Sequence, residues 1–162
     1  MKIALIANNP VIQEIPEADV YYHFNGAIHW GKTPDEQSAI VVRMAYTVRD
    51  AKSFRCYPNT KIAKDVIACG WENEIQVFKE RHPNHGASSS FFLSRGNYPA
   101  NQSPTSGWAV IQKLLTYPDV DIICVGFDLK SASYYKSTGL HAVDWEIAEL
   151  AKLVEEGKVT KA

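Results

Sequence analysis

The segment SPTSGWAVIQKLLTYPDVDIICVGFD, residues 103–128, decides how the chain folds. Its first part predicts a helix, because Ser103 or Thr105 can act as the N-cap and Pro104 suits a first helical turn. Its second part, residues 122–125, is an unbroken apolar run, as expected of a strand that is buried on both faces. A helix followed by such a strand is the repeating unit of a parallel α/β sheet.

Both the helix start and the strand end of this segment suit a ligand. The helix start carries Thr105, Ser106 and Gly107, where unpaired backbone N–H groups favour an anion and the glycine allows close backbone approach. The strand is followed by Gly126-Phe127-Asp128. Ligands of open α/β sheets bind at the carboxyl ends of the strands, so this tripeptide is a candidate part of a binding site.

Hydrophobic patterns outside this segment predict further strands and helices. Strands are predicted at residues 2–7, 19–24, 39–44, 74–78 and 89–93, and helices at residues 11–15, 59–69 and 142–156. Their alternation predicts an α/β fold: a single Rossmann-like domain over residues 1–162, with a mostly parallel sheet flanked by helices.

Composition narrows the class of protein. The chain has 162 residues, 46% hydrophobic and 22% charged, with a net charge of −1, which gives no electrostatic case for a nucleic acid partner. No apolar run is long enough to predict a transmembrane segment, and the short run at residues 3–7 reads as a strand rather than a signal peptide. The odd cysteine count, without a C-x-x-C pair, predicts a reduced, cytoplasmic protein without structural zinc. Homo-oligomerisation stays open.

Polar residues follow several of the predicted strands. Asn8 and Asn9 follow the first strand, Asn25 follows the second, and Asp128 follows the central one. Parallel strands would gather them at one edge of the sheet, where uncharged donors suit a ribose, a phosphate or a carboxylate. The alternative is that these residues only end the strands as turn formers.

His141 is the candidate catalytic residue, since it lies just before the last predicted helix. A helix start disfavours the imidazolium and lowers a histidine pKa, so a neutral imidazole there can act as a general base. Glu146 can orient it or bond to nearby backbone. The alternative is a capping or surface role for His141. No metal site is predicted, because His82 and His85 lack ligand spacing and the Asp119-Val-Asp121 pair precedes its strand, away from the ligand edge.

The chain resembles the sialyltransferases, most closely the bacterial enzymes of glycosyltransferase family 42, with features of the animal-type family 29. The resemblance is carried by four segments: IALIANNPVIQEI (3–15), VYYHFNGA (20–27), SPTSGWAVIQKLL to IICVGFD (103–128), and His141-x-x-x-x-Glu146. It covers both ends of the chain and little of residues 47–94.

This resemblance implies an inverting, metal-independent transfer of sialic acid or a related sugar from a CMP-sugar donor to a glycan hydroxyl, with no other cofactor. It implies that His141 is the general base, that Asn8 and Asn25 hold the nucleotide phosphate and sugar, and that Ser106 and Gly107 contact the donor carboxylate or phosphate. Phe127 and Asp128 would face the nucleoside. Asn9, Thr105 and Gly126 are further substrate-binding candidates.

Two positions depart from the family pattern. The family has a Tyr soon after the Gly-x-Asp that assists phosphate departure; here Lys130 stands near that place, followed by Tyr134 and Tyr135, so these three are the candidates for that role. A third Asn has no counterpart, and Arg43 lies nearby. The alternative function is a non-catalytic nucleotide- or glycan-binding domain of the same fold.

Overall fold

The computed structural model describes residues 1–12, 14–44, 58–81, 83–84, 86–127 and 139–162. The strands are β1 (Lys2–Ile6), β2 (Val20–Phe24), β3 (Ser38–Arg43), β4 (Asp65–Gly70), β5 (Ser89–Phe92), β6 (Asp121–Val125) and β7 (Val159–Lys161). The helices are α1 (Glu72–Arg81), α2 (Ser106–Leu114) and α3 (Val143–Glu155), with 3₁₀ turns at Trp30–Lys32, Asp35–Gln37 and Pro58–Lys61.

The strands form one sheet in the order β5-β4-β3-β2-β1-β6-β7, and every neighbouring pair is parallel. The predicted fold class, a single Rossmann-like α/β domain, is therefore confirmed, and the described sheet is wholly parallel. β3 and β6 are buried along most of their length because both faces of the sheet are covered. β7, a three-residue strand at the edge, was not predicted from the sequence.

Alternate residues of each strand face two separate cores. On one face, Ile3 and Leu5 of β1 pack with α2 and α3, which contribute Val110 and Leu150 among others. On the other face, the strand ends near β1 pack with the segment that contains Ile12, and β3 and β4 pack with α1. Both faces of the sheet are therefore covered. Because every neighbouring pair of strands is parallel, all seven strands direct their carboxyl ends toward one edge of the sheet.

Two predicted elements in the middle of the chain are wrong. Residues 59–69 are not a helix, because residues 66–69 are buried on both sides as β4, and Ile62, expected inside, is 71% exposed. Residues 74–78 are not a strand, because Ile75 and Phe78 share one buried helical face of α1. A short apolar run is compatible with both the helical period and the strand period. For this reason β4, a strand that is buried on both faces, gives a helix prediction.

The short helix predicted at residues 11–15 is also absent from its described residues. Asn9 instead forms a turn, in which its side-chain oxygen accepts from the Val11 N–H at 3.2 Å and its carbonyl accepts from the Ile12 N–H at 3.2 Å. Ile12 packs into the core beside β1. The connection from β1 to β2 is therefore a loop, anchored by one isoleucine.

His23 on β2 is a fully buried histidine that has no place at the ligand edge. Its Nε2 atom bonds to the Thr33 hydroxyl at 2.8 Å, its ring lies edge-on to Trp30, and its Nδ1 atom is buried without a hydrogen-bond partner. Burial, with the nearby His29, lowers the pKa of His23 from 6.5 to about 4. Folding therefore requires this imidazole to be neutral.

This burial makes stability depend on pH in a predictable direction. Because the folded pKa is lower than the unfolded one, the unfolded state binds the proton first, and stability falls as the pH drops from 6.5 toward 4. A shift of this size corresponds to roughly 3 kcal/mol. We expect urea unfolding of the His23→Leu variant to show a shallower loss of stability over that pH range than the wild-type protein. An equal slope in both proteins would assign the acid sensitivity to other groups.

Candidate functional site

The sheet has a topological switch point at β1, which lies between β2 and β6. From β1 the chain builds the sheet outward to β5 on one side, and β6 later pairs on the other side. In open parallel sheets a crevice for ligands forms at the carboxyl ends of the strands beside such a point. The segments that follow β1, β2 and β6 meet there, and they contain the predicted residues Asn8, Asn9, Asn25 and Gly126.

Asn8 and Asn9 hold the loops around the switch point. Asn8 donates from Nδ2 to the Phe24 carbonyl at 2.7 Å and accepts from the Ile28 N–H at 3.2 Å. Asn9 donates from Nδ2 to the Gly126 carbonyl at 3.4 Å. The two asparagines therefore tie the end of β1 to the ends of β2 and β6.

Gly126 has a conformational reason to be glycine. Its φ is +69°, and a Cβ atom there would lie 2.4 Å from the Cδ1 atom of Ile12. Both the left-handed backbone and the lack of space exclude a side chain. The chain can therefore turn sharply at the end of β6, immediately before Phe127.

Asn25 and Arg43 extend the site along the edge of the sheet. Asn25 has a left-handed backbone with φ of +47°, and its Oδ1 atom accepts from the Arg43 N–H at 2.9 Å. The Arg43 guanidinium donates from Nη1 to the Pro104 carbonyl and from Nη2 to the Ser103 hydroxyl, both at 2.6 Å. Arg43 thus connects the end of β3 to the segment that precedes α2.

Arg43 is a partly buried cation whose described hydrogen-bond partners are neutral. Among the described residues, the ion pairs join Lys152 to Glu149 and Lys158 to Glu156, and neither involves Arg43. Its Nε atom is buried and has no partner there. Burial lowers the pKa of Arg43, although Glu74 and Glu146 favour its charge from a distance. No described ion pair neutralises the charge of Arg43, so this charge can shift the pKa values of titratable groups nearby.

His141 lies on the other side of Ser103. Its Nδ1 atom is hydrogen-bonded to the Ser103 carbonyl, and because a carbonyl oxygen only accepts, Nδ1 must carry the proton. Burial lowers the pKa of His141, and the charge of Arg43 lowers it further against the effect of the Ser103 bond. The neutral imidazole then has its lone pair on Nε2, as a general base requires.

The sequence predicts two possible roles for Glu146, to orient His141 or to bond to nearby backbone. The structure shows the second role, and Glu146 does not orient His141. It is 2% exposed, and its carboxylate accepts from the Thr105 N–H at 2.8 Å, the Thr105 hydroxyl at 2.7 Å and the Tyr98 hydroxyl at 2.7 Å. Burial raises the pKa of Glu146 despite these bonds. The Tyr98 oxygen also accepts from the Ala142 N–H at 2.9 Å, so this cluster joins the starts of α2 and α3.

Thr105 is the N-cap of α2, since its hydroxyl accepts from the Trp108 N–H at 3.1 Å. The next predicted site residues face the interior. Ser106 is buried near the Cys69 thiol, whose pKa burial raises to about 11. Phe127 is buried, with its ring edge-on to Phe24 and packed against Gly107.

The predicted site residues therefore divide into three groups. The residues whose contacts lie along the carboxyl edge are Asn8, Asn9, Asn25, Thr105, Gly126 and His141. Ser106, Gly107 and Phe127 pack inside the protein beneath that edge. The remaining predictions, Asp128, Lys130, Tyr134 and Tyr135, lie outside the described residues, as do Cys56, His82 and His85.

Sequence reasoning missed Tyr98 and left Arg43 without a role. The signal for Arg43 was its position, because it is a charged residue directly after the apolar run Ala39–Val42, at a carboxyl strand end. Tyr98 gave no signal, since it lies in an irregular segment between β5 and α2 and its partners are more than 40 residues away in the sequence.

The fold is a Rossmann-like α/β domain, and polar side chains together with the partly buried Arg43 lie along the carboxyl edge of its sheet. A scan of the chain against protein-family models, a search of curated proteins and a search of solved structures each found no match. Within the described part of the chain, no cluster of three or more metal-ligating side chains is present, and no helix is long and apolar enough to cross a membrane.

The packing of Phe127 on Gly107 predicts a specific cost for a small substitution. A Cβ atom at residue 107 would lie 2.6 Å from the ring of Phe127, so Gly107→Ala should destabilise the protein by about 1–3 kcal/mol through overpacking. Gly31→Ala is the matched control, because no atom lies within 4 Å of its added methyl group. Urea unfolding of both variants measures the difference. Equal stabilities would mean that the ring moves away freely.

The contact of Arg43 with the segment that holds His141 predicts a change in titration. Arg43→Met removes a positive charge that lowers the pKa of His141, so that pKa should rise. The Cε1–H resonance of His141, followed by NMR as the pH is varied, measures it. Lys64→Met removes a positive charge just before β4, at the amino ends of the strands, and should leave the resonance unchanged. An unaltered titration in Arg43→Met would show that Arg43 does not act on this histidine.

Proposed function

We propose that the protein transfers sialic acid or a related sugar from a CMP-sugar to a glycan hydroxyl, with inversion and without a metal ion, and with His141 as the general base. The observation that carries the proposal is the environment of His141. Its Nδ1 proton is held by the Ser103 carbonyl, and its pKa is lowered by burial and by Arg43. A histidine in this state accepts a proton on Nε2 at physiological pH.

The proposed step conserves atoms and charge. His141 Nε2 takes the proton of the acceptor hydroxyl while that oxygen forms a bond to the anomeric carbon of the donor. The bond between the anomeric carbon and the phosphate oxygen breaks on the opposite side, and CMP leaves with the electron pair. Attack opposite to the leaving group inverts the anomeric centre, and both the oxocarbenium-like centre and the departing phosphate need preorganised polar groups.

The crevice supplies polar groups of the required kind. Asn25 directs its Oδ1 to the Arg43 backbone, and no described residue accepts from its Nδ2 atom, which leaves donors for a nucleotide ribose or phosphate. Arg43 adds positive charge close to this asparagine. Lys130, Tyr134 and Tyr135 stay the candidates for assisting phosphate departure.

The positions of the segments that resemble sialyltransferases also support the proposal. The loops after β1 and β2, the segment before α2, the end of β6 and the segment before α3 lie far apart in the sequence. They are connected here by hydrogen bonds of Asn8, Asn9, Arg43 and His141. Four weak likenesses that meet at one ligand edge favour a shared site over four unrelated turns.

The test compares wild-type protein with His141→Ala. Removal of a general base should lower hydrolysis of CMP-sialic acid and transfer to glycan acceptors by about 10²–10⁴-fold. The wild-type rate should also fall as the pH drops below the lowered pKa of His141, and this limb should be absent from any residual rate of the variant. Liquid chromatography of released CMP and of sialylated product measures both.

Calorimetric titration with CMP, UMP and AMP provides the control. Both proteins should bind CMP with equal affinity and prefer it to UMP and AMP, and their melting temperatures should agree. Unchanged turnover in His141→Ala would remove this residue from the mechanism. Wild-type protein that binds CMP but consumes no CMP-sugar would replace the enzyme by a nucleotide-binding domain. Absence of CMP binding would contradict both functions.

A further inference from the structure

An open, solvent-facing cavity lies at the carboxyl ends of β4 and β5, toward the β5 end of the same sheet edge. Its volume is about 690 Å³, within the range of small-molecule sites, and its lining begins with Trp71 and Leu93, the residues that directly follow those strands. Arg95 and the first two turns of α1 complete it. None of the site residues predicted from the sequence contributes to this lining.

The cavity has one apolar, aromatic side. Leu93 is buried in the main core, and Trp71 is partly buried against the same core, so the indole is held in place. The Arg95 guanidinium lies over the Trp71 ring, 5.3 Å from the ring centroid, and the Arg95 side chain is exposed to solvent. An exposed arginine can leave the ring when a ligand packs on it. An indole packed against the core, beside an exposed guanidinium, is a suitable platform for a flat, apolar ligand face.

The opposite side of the cavity is rich in hydrogen-bonding groups. α1 contributes Glu72, Asn73 and Gln76, all exposed, while Glu74 accepts from the Trp71 N–H at 3.1 Å and so fixes the start of the helix. Carboxylates accept hydrogen bonds and amides both donate and accept them. A ligand with several hydroxyl groups matches this set. Two carboxylates against one guanidinium disfavour an anionic ligand.

The ligand class that combines both sides is a neutral pyranose. Equatorial hydroxyl groups leave the axial C–H bonds as a flat apolar face, which packs on an indole, and the hydroxyl rim then meets the carboxylate and amide groups. Aliphatic polyols lack the face, and uronic acids add a negative charge beside Glu72 and Glu74. The cavity therefore distinguishes three kinds of small, hydroxyl-rich molecules.

The cavity is connected to the segment that carries His141. The Arg95 Nη1 atom lies 3.5 Å from the Gln102 carbonyl, and Gln102 in turn donates from Nε2 to the His141 carbonyl at 3.4 Å. Ser103, which holds His141, is the next residue in the chain. The cavity is therefore linked, through Arg95 and Gln102, to the segments that position the proposed base.

We propose that this cavity, bounded by Trp71, Leu93, Arg95 and the start of α1, binds a neutral pyranose unit of the acceptor glycan. Its role as acceptor site rests on the proposed transferase function, whereas sugar binding itself does not. The probes are methyl β-D-glucopyranoside and methyl β-D-galactopyranoside. Glycerol and sodium glucuronate are the comparison ligands.

The first experiment measures sugar binding without any donor, by saturation-transfer NMR and by titration. Both glycosides should bind to wild-type protein, and glycerol and glucuronate should bind at least tenfold more weakly. Trp71→Leu should weaken glycoside binding about tenfold. Asn73→Ala and Gln76→Ala, which change exposed residues and leave the core intact, should weaken it several-fold, so the test stands even if Trp71→Leu fails to fold.

The matched control is Tyr117→Leu. Tyr117 also has a cation over its ring, the Lys113 ammonium at 5.1 Å from the centroid, but it lies after α2 and away from the cavity. This variant should bind both glycosides as the wild-type protein does. Equal binding by all variants, or binding of glucuronate as tight as that of the glycosides, would overturn the assignment of the cavity.

The second experiment separates this inference from the proposed function. In sialyl transfer, Trp71→Leu and Asn73→Ala should raise the acceptor KM while kcat and the Kd for CMP stay unchanged. An unchanged KM in both variants, with active enzyme, would overturn the acceptor site and leave the transferase. Glycoside binding that depends on Trp71, in a protein without CMP binding or transfer, would support the sugar site and overturn the transferase.

Discussion

The contact of the Arg43 guanidinium with Ser103 and Pro104 is the interaction on which the arrangement of the site depends. It joins the end of β3 to a segment 60 residues further along the chain, and that segment holds His141 through the Ser103 carbonyl. Because the described partners of Arg43 are neutral, burial of its charge is only partly compensated. Such a residue costs stability, and its hydrogen bonds to the segment must be kept for the fold to tolerate it.

This contact also explains how remote parts of the chain form one site. Parallel strands align their carboxyl ends, but alignment alone leaves the loops free to point in different directions. Asn8 and Asn9 fix the loops beside β1, while Arg43 and His141 fix the segments before α2 and α3. The polar residues of the edge thus hold the loops and helix starts in place relative to one another.

The sequence predicted α2 and β6 well for physical reasons. In residues 103–128, the cap at Thr105, the helical face and the doubly buried strand agree with one another, so local signals and tertiary packing give the same answer. In residues 59–78 the local signals and the tertiary packing conflict. β4 has the composition of a buried helix segment, and the alternation in α1 hides the helical pair Ile75 and Phe78.

The contacts of the candidate site that could not be predicted from the sequence have a different cause. Asn8, Asn25 and His141 were recognisable because each follows a strand or precedes a helix, and strand order brings such positions together. The side-chain contacts of Arg43 and Tyr98 span 44 to 61 residues and leave no periodic signal in the sequence. The burial of Phe127 and Ser106 was equally hidden, because both residues come from segments that also suit a ligand edge.

The buried carboxylate of Glu146 has a consequence for the motions of the protein. It accepts hydrogen bonds from the cap of α2 and from Tyr98, which in turn holds the Ala142 N–H at the start of α3. If either helix start opened, the other would lose a hydrogen-bond partner. The Glu146 carboxylate would then lie in an apolar setting without the hydrogen bonds that compensate for its desolvation. We therefore expect the first turns of α2 and α3 to open together, as one cooperative unit.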